Sequence, residues 1–153
     1  MIIPYRKYKN REGDLVQLPI VSVRVRCNGV MLPIWALIDS GADVTLLNMS
    51  FAQLFNVNFE KAKKIELVGV MEGSGFSGYI QQVNLEVKDM GRIDTIAAFS
   101  DSEKYPDYMI LGRRGFFEHF SVKFEEYNKQ VVIEPKESNP PSFANAPVPP
   151  FLQ

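Results

Sequence analysis

The residues best equipped for chemistry are Asp39, Ser40 and Gly41, which stand between two apolar runs in Trp35-Ala36-Leu37-Ile38-Asp39-Ser40-Gly41-Ala42-Asp43-Val44-Thr45-Leu46-Leu47. Asp-Ser-Gly suits any place where a chain reverses, so the bare tripeptide reads first as a turn. The flanks change the balance. A carboxylate set between apolar segments is expensive to desolvate unless it is hydrogen-bonded or used, which makes Asp39 a candidate functional acid.

Other reactive side chains offer less. His119 is the single histidine and sits among Phe116, Phe117 and Phe120, a setting for a packed or surface side chain rather than a base. One cysteine, Cys27, excludes an intrachain disulfide and reads as a small buried hydrophobe. With one histidine and one cysteine there is no Cys/His cluster for zinc, so neither metal nor cofactor is expected. Gly73-Ser74-Gly75 lacks the lysine and helix context of a phosphate loop. Trp35, out of step with the inward alternation of Ile34 and Ala36, is expected in core or dimer packing.

Composition narrows the class. The 153 residues suit one domain, and 46% apolar with 23% charged residues is ordinary globular usage. A net charge of -1 removes the broad positive field that nucleic-acid binding needs, so no nucleic-acid partner is expected. The basic opening Arg6-Lys7-Tyr8-Lys9-Asn10-Arg11 reads as a solvated, partly mobile terminus. The longest apolar run, Val30 to Ile38, is too short to span a bilayer and is broken by Pro33, and the start lacks a secretory pattern. A cytoplasmic protein without membrane insertion is the expectation.

The elements that must position Asp39 are strands. Val21, Val23, Val25 and Cys27 alternate with Ser22, Arg24 and Arg26, and Asn28-Gly29 tolerates the positive φ of a hairpin turn before the run from Val30 to Ile38. Asp39 then lies in a tight turn before Val44 to Leu47 resumes β-favouring residues. A short helix is expected over Met49 to Phe55, with Ser50 as its N-cap. Ile65 to Val70 and Tyr79 to Val87 read as strands flanking a glycine-rich hairpin tip. Arg92 to Phe99 and Tyr108 to Leu111 are further strands, joined by a polar loop from Ser100 to Asp107. A short helix over Gly112 to Phe120 and a hairpin of Ser121 to Tyr127 with Val131 to Glu134 complete the body. Six of the ten prolines fall from Pro135 onward. The expected division is an N-terminal segment over 1–14, one domain over 15–135 and a flexible proline-rich tail over 136–153, within which Phe143 to Phe151 could dock in a cleft or be trimmed.

Leu37-Ile38-Asp39-Ser40-Gly41-Ala42-Asp43 resembles the active-site loop of the single-lobed, retroviral-type aspartic proteases, the retropepsins. Ile110-Leu111-Gly112-Arg113 is similar to the two-apolar-plus-glycine segment that closes that loop from behind. The stretch from Gly115 to Val122-Lys123-Phe124 and on to Val131-Val132-Ile133 is similar to the end of a pepsin lobe. The likeness covers roughly residues 15 to 135. It implies a mainly β lobe with one or two short helices, a closed barrel-like half of a symmetric dimer.

Further implications concern the reaction. Hydrolysis by this chemistry needs two carboxylates sharing one proton. No second Asp-Ser/Thr-Gly exists, since Asp101-Ser102 runs on to Glu103 and Asp14, Asp89, Asp94 and Asp107 lack the glycine turn. The resemblance therefore implies a homodimer in which two copies of Asp39 activate a water against a polypeptide substrate. Ser40, Gly41, Ala42 and Gly112 would support the site. Alanine at 42 cannot donate a side-chain hydrogen bond to a catalytic oxygen, which points to a pH optimum in the mildly acidic to neutral range. Asp43 and Arg113 would pair and hold the substrate backbone, their plain alternative being ordinary surface ions. Gly73, Ser74, Gly75 and Phe76 fall where such enzymes carry a flap, the plain alternative being an exposed loop. The terminal hairpin implies a dimer arrangement unlike the interleaved termini of viral relatives. A dimeric peptide-binding or assembly module without turnover is the competing function, and a merely structural Asp-Ser-Gly turn the weakest.

Overall fold

A computed structural model of the chain describes residues 1–10, 12–68, 75–102 and 108–136. In chain order its first strands are β1 (Ile2–Pro4), β2 (Arg6–Lys9), β3 (Leu15–Leu18), β4 (Ile20–Cys27) and β5 (Val30–Ile38). Then come β6 (Leu46–Leu47), the single helix α1 (Met49–Leu54), β7 (Lys63–Val68), β8 (Gly75–Val87) and β9 (Gly91–Ser100). The series closes with β10 (Met109–Leu111), β11 (Phe120–Glu125) and β12 (Gln130–Pro135). Among the described residues no helix is long and apolar enough to cross a membrane.

Period-two burial builds the central body. Along β4, Val21, Val23, Val25 and Cys27 point inward, and Asn28 at φ 48° with Gly29 at φ 80° turns the chain so that Cys27 faces Val30. These positive φ values match the right-handed twist of the flanking strands, as the Asn-Gly pair predicts. Strand order runs β4-β5-β10-β6-β9-β8, and β8 pairs back onto β4 from Val23↔Val87 to Arg26↔Asn84. Six strands thus close a barrel without a free edge, and β7 extends beyond β8 as a hairpin arm. Its interior is filled by side chains such as Val23, Ile34, Ala36, Leu85, Ala97, Phe99, Met109 and Leu111, all buried.

Two smaller sheets flank the barrel. One has the order β1-β12-β11, and Val131 and Ile133 of β12 join Phe116 and Phe120 in the same core. The other is the β2–β3 hairpin, in which Arg6 faces Leu18 and Tyr8 faces Val16.

The basic stretch expected as a solvated, partly mobile terminus is solvated at Arg6, Lys7 and Lys9 but is held as strand β2 against β3, and the residues ahead of it are anchored as well. Ile2 to Pro4 pair with β12, the amino group donates to the Ile133 carbonyl at 2.6 Å, and Tyr5 is buried. Ile3 and Tyr5 supply the apolar alternation that outweighs the charge of the neighbouring lysines and arginine. The helix is capped by Asn48, whose Oδ1 accepts from the Phe51 N–H at 3.2 Å, so Ser50 lies inside the first turn. Gly112 to His119 form turns rather than a helix. Gly115 at φ 95° interrupts helical geometry, and Phe117 and Glu118 donate to carbonyls five residues back, Gly112 and Arg113. Strand β8 begins at Gly75, four residues earlier than expected, because Gly75 to Gly78 extend the pairing with Val68 to Ile65. The expected tail from residue 137 onward lies outside the described residues.

Candidate active site

Parallel pairing sets up the site. Strands β5 and β10 run in the same direction, with Met109↔Ala36, Ile110↔Leu37 and Leu111↔Ile38, so their C-terminal ends, and the loops that follow, emerge side by side. Asp39 leaves one end and Gly112 the other.

Backbone hydrogen bonds lace the loops together. The Asp39 N–H donates to the Leu111 carbonyl at 3.1 Å, Arg113 N–H to Ala42 at 2.9 Å, and Arg114 N–H to Asp43 at 3.0 Å. Thr45 N–H returns a bond to Arg114 at 2.9 Å, and Val44 and Arg114 form a parallel bridge. Asp39 as a residue is half-buried, and its Oδ1 accepts from the Gly41 N–H at 2.9 Å in an exposed bond. A Cβ at Gly41 would stand 3.2 Å from that same oxygen, so glycine keeps the carboxylate uncrowded. Ser40 and Gly41 are exposed at the loop's crest, and Ala42 donates its N–H to the Asp39 carbonyl at 3.3 Å.

Gly112 is held by contact. A Cβ there would lie 2.4 Å from both the carbonyl carbon and oxygen of Val44, a distance no side chain tolerates. Its N–H, buried, donates to Thr45 Oγ1 at 3.1 Å. Arg113 Nε donates to the Ser40 carbonyl at 2.9 Å, while its guanidinium reaches Asp43 only at 3.9 Å with both side chains largely exposed. The bond to Ser40 is the firmer of the two, since an exposed pair at that distance is weak.

Asp39, Ser40, Gly41, Ala42, Asp43, Gly112 and Arg113 thus converge on one surface. Gly73 and Ser74 lie outside the described residues, and Gly75 and Phe76 open β8 opposite Val68 and Leu67. The base of that hairpin reaches the site indirectly: Ile65, Leu67 and Ile80 pack with Ile110 against Val44, Leu46 and Ala98. Among the described residues no three Cys, His, Asp or Glu side chains gather as a metal site. Cys27 is buried in the core, where desolvation raises its thiol pKa.

Two residues of this assembly escape a motif reading. Thr45 is fully buried and ties both loops to β9, because its carbonyl also accepts from Ala98 N–H at 2.8 Å. Its signal was a lone hydroxyl amid Val44, Leu46 and Leu47, since a buried polar group requires partners. Gly115 abuts the Ile96 carbonyl, which a Cβ would approach to 2.4 Å. Trp35 is 47% exposed, with the Arg6 guanidinium stacked 3.7 Å from its ring centroid, so the expectation of core packing does not hold. Its outward register on β5, shared with Leu37, decides this.

No family model matches the chain, and no curated protein matches it. Among solved structures, a retropepsin-like aspartic protease from Rickettsia conorii aligns with a TM-score of 0.56 at 15% identity, covering 87% of this chain and 88% of that one. The retroviral protease-like domain of Ddi1 from Leishmania major aligns at 0.49 and 16% identity, covering 80% and 99%. EIAV protease complexed with the inhibitor HBY-793 aligns at 0.44 and 24% identity, covering 63% and 82%. The chain has the retropepsin-like fold, a single all-β lobe.

Proposed function

We propose that this chain is an aspartic endopeptidase, assembled as a homodimer in which two copies of Asp39 activate a water between them and hydrolyse peptide bonds in an extended polypeptide. The observation that carries this reading is the presentation of Asp39. The Gly41 N–H bond to its carboxylate is what any aspartate turn makes. What goes beyond a turn is the second loop locked behind it, with the Asp39 N–H bonded to Leu111, Arg113 and Arg114 bonded to Ala42 and Asp43, and Gly112 pressed on the Val44 carbonyl.

In the dimer the two carboxyl groups share one proton. The ionised member takes a proton from the water, the oxygen of that water bonds to the peptide carbonyl carbon, and the other carboxyl protonates the carbonyl oxygen. Collapse of the tetrahedral intermediate breaks the C–N bond as the amine leaves with a proton. Gly41 fixes the carboxylate, Ser40 and Ala42 shape the loop, and Gly112 sets how closely the second loop backs it. Asp43 and Arg113 frame the margin where substrate backbone would lie. The β7–β8 hairpin is the element we assign to covering the bound peptide.

The test is cleavage of a peptide library across pH by purified protein beside Asp39→Asn, at a concentration where the dimer is demonstrated. Wild type is expected to cleave and to be blocked by a pepstatin-type inhibitor, with the variant slower by about 10³-fold or more. Cleavage that survives the substitution sinks the mechanism. Absence of cleavage by either protein, with peptide still bound, favours the binding module.

A further inference from the structure

The face that carries Asp39 continues upstream into a second feature. On β5 the residues Ile34, Ala36 and Ile38 face the core, so Trp35 and Leu37 share the opposite face, and Asp39 continues their alternation. On β10 the same holds for Ile110, with Tyr108 two residues before it. The β2–β3 hairpin folds over this face beside Trp35. Together Arg6, Lys7, Tyr8, Ile20, Trp35 and Tyr108 line a recess of about 260 Å³.

Its described lining is cationic and aromatic. The Arg6 guanidinium carbon stands 3.7 Å from the Trp35 ring centroid, Tyr8 meets Tyr108 edge-on at 5.5 Å between ring centroids, and Ile20 provides a buried apolar floor. Among the described residues the lining holds Arg6 and Lys7 and no acid, and Arg6 has no carboxylate partner. Stacking occupies the face of the guanidinium and leaves its in-plane N–H groups free to grip a carboxylate in the bidentate manner. A short apolar wall ending at a fixed fork suits an acidic side chain, whose methylene stem would lie on Trp35. Four residues of extended strand separate Trp35 from Asp39, about 13 Å, so the recess lies within the reach of about four residues of an extended peptide bound over Asp39.

We infer that this recess is a specificity subsite that selects a Glu or Asp side chain several residues from the scissile bond. The inference rests on the protease reading for the path of the peptide, and the experiment separates the two. Trp35 is the chain's only tryptophan, so its emission reports occupancy of the recess without any need for turnover.

The probe is a set of decapeptides, acetylated and amidated at their ends, with a fixed apolar centre and Glu, Gln or Lys placed in turn at each of the four positions on either side. Titrated into the Asp39→Asn protein, the best Glu peptide is expected to bind about tenfold tighter than its Gln twin and to change Trp35 emission. Arg6→Gln, at an exposed strand position, should bring that ratio near one while lowering the thermal midpoint by only the few degrees that one exposed cation–π contact is worth. Arg6→Lys, which keeps the charge and loses the fork, should retain part of it. A Glu-to-Gln ratio near one in the Asp39→Asn protein, or a preference that survives Arg6→Gln, overturns the subsite. Cleavage by the wild type that ignores the Glu/Gln exchange at every position also overturns it and leaves the protease standing. An Arg6-dependent preference in a protein that cleaves nothing keeps the subsite and removes the protease.

Discussion

Around Asp39 the chain is braced by its own main chain, with loops 39–45 and 111–115 exchanging backbone hydrogen bonds and Gly112 pressed against the Val44 carbonyl. Beside Trp35, four residues upstream on the same strand, the β2–β3 hairpin meets β5 and Tyr108 through side chains: a guanidinium on an indole, one tyrosine ring against another. Main-chain hydrogen bonds can be made by any residue but proline, yet the close approach at Gly112 leaves no room for a side chain, whereas the contacts beside Trp35 can be exchanged one residue at a time. The first region is fixed by the backbone path, and the second by which side chains happen to meet.

Substitutions should separate the regions in order of size. Gly112→Ala puts a Cβ 2.4 Å from the Val44 carbonyl, so the loops must part or the barrel must shift. A loss of about 3 kcal/mol or more is expected, read as a lowered midpoint in denaturant. An unchanged midpoint would show that the loops are less locked than their contacts imply. Thr45→Val keeps the volume but removes the Oγ1 that accepts from the buried Gly112 N–H, and should cost about 1–3 kcal/mol by the same measurement. Thr45→Ser should recover most of it.

Toward the exposed margin the effects should shrink. Arg113→Met removes the bond to the Ser40 carbonyl and is expected to cost about 1 kcal/mol, while Asp43→Asn, touching only the long exposed pair, should cost less than about 0.5 kcal/mol. Equal losses would mean that the ion pair matters more than its geometry indicates. The smallest effect is expected on the exposed β11–β12 hairpin. The Lys123 ammonium, followed by the Gln130 and Asn128 amides, holds the Glu125 carboxyl at a pKa of about 2. A lowered carboxylate pKa stabilises the fold above its ordinary value near 4.5, and that contribution fades as pH falls toward about 2. Glu125→Gln should therefore lower the thermal midpoint by about a degree or less at pH 6, with the difference vanishing near pH 2.

Much of the first region could be read in the sequence, because its constraints are local. Asp-Ser-Gly between apolar runs, Asn28-Gly29 between alternating strands, and Leu111-Gly112 after an apolar run each declare a conformation in a few neighbouring residues. Where partners were distant the reading failed. Nothing near Arg6 announces that β2 will be held by β3 and rest on Trp35, and nothing near Ile2 announces β12. Phe116, Phe117 and Phe120 have the spacing of a helix face, and the positive φ of Gly115 overrules it. The buried Thr45 hydroxyl signals only that partners exist, not which residue 67 positions away provides one.

That separation has a consequence for when the site comes into being. Contacts between segments this far apart in sequence form only after the intervening chain has been ordered, and a barrel closed by pairing β4 with β8 is a slow, non-local topology. The loop that orients Asp39 leans on residues 111–114, which emerge from the ribosome after nearly all of the barrel. A nascent or partly unfolded chain therefore carries the aspartate without the geometry, and the braced carboxylate comes into being only late in folding, once the barrel that carries both loops has closed.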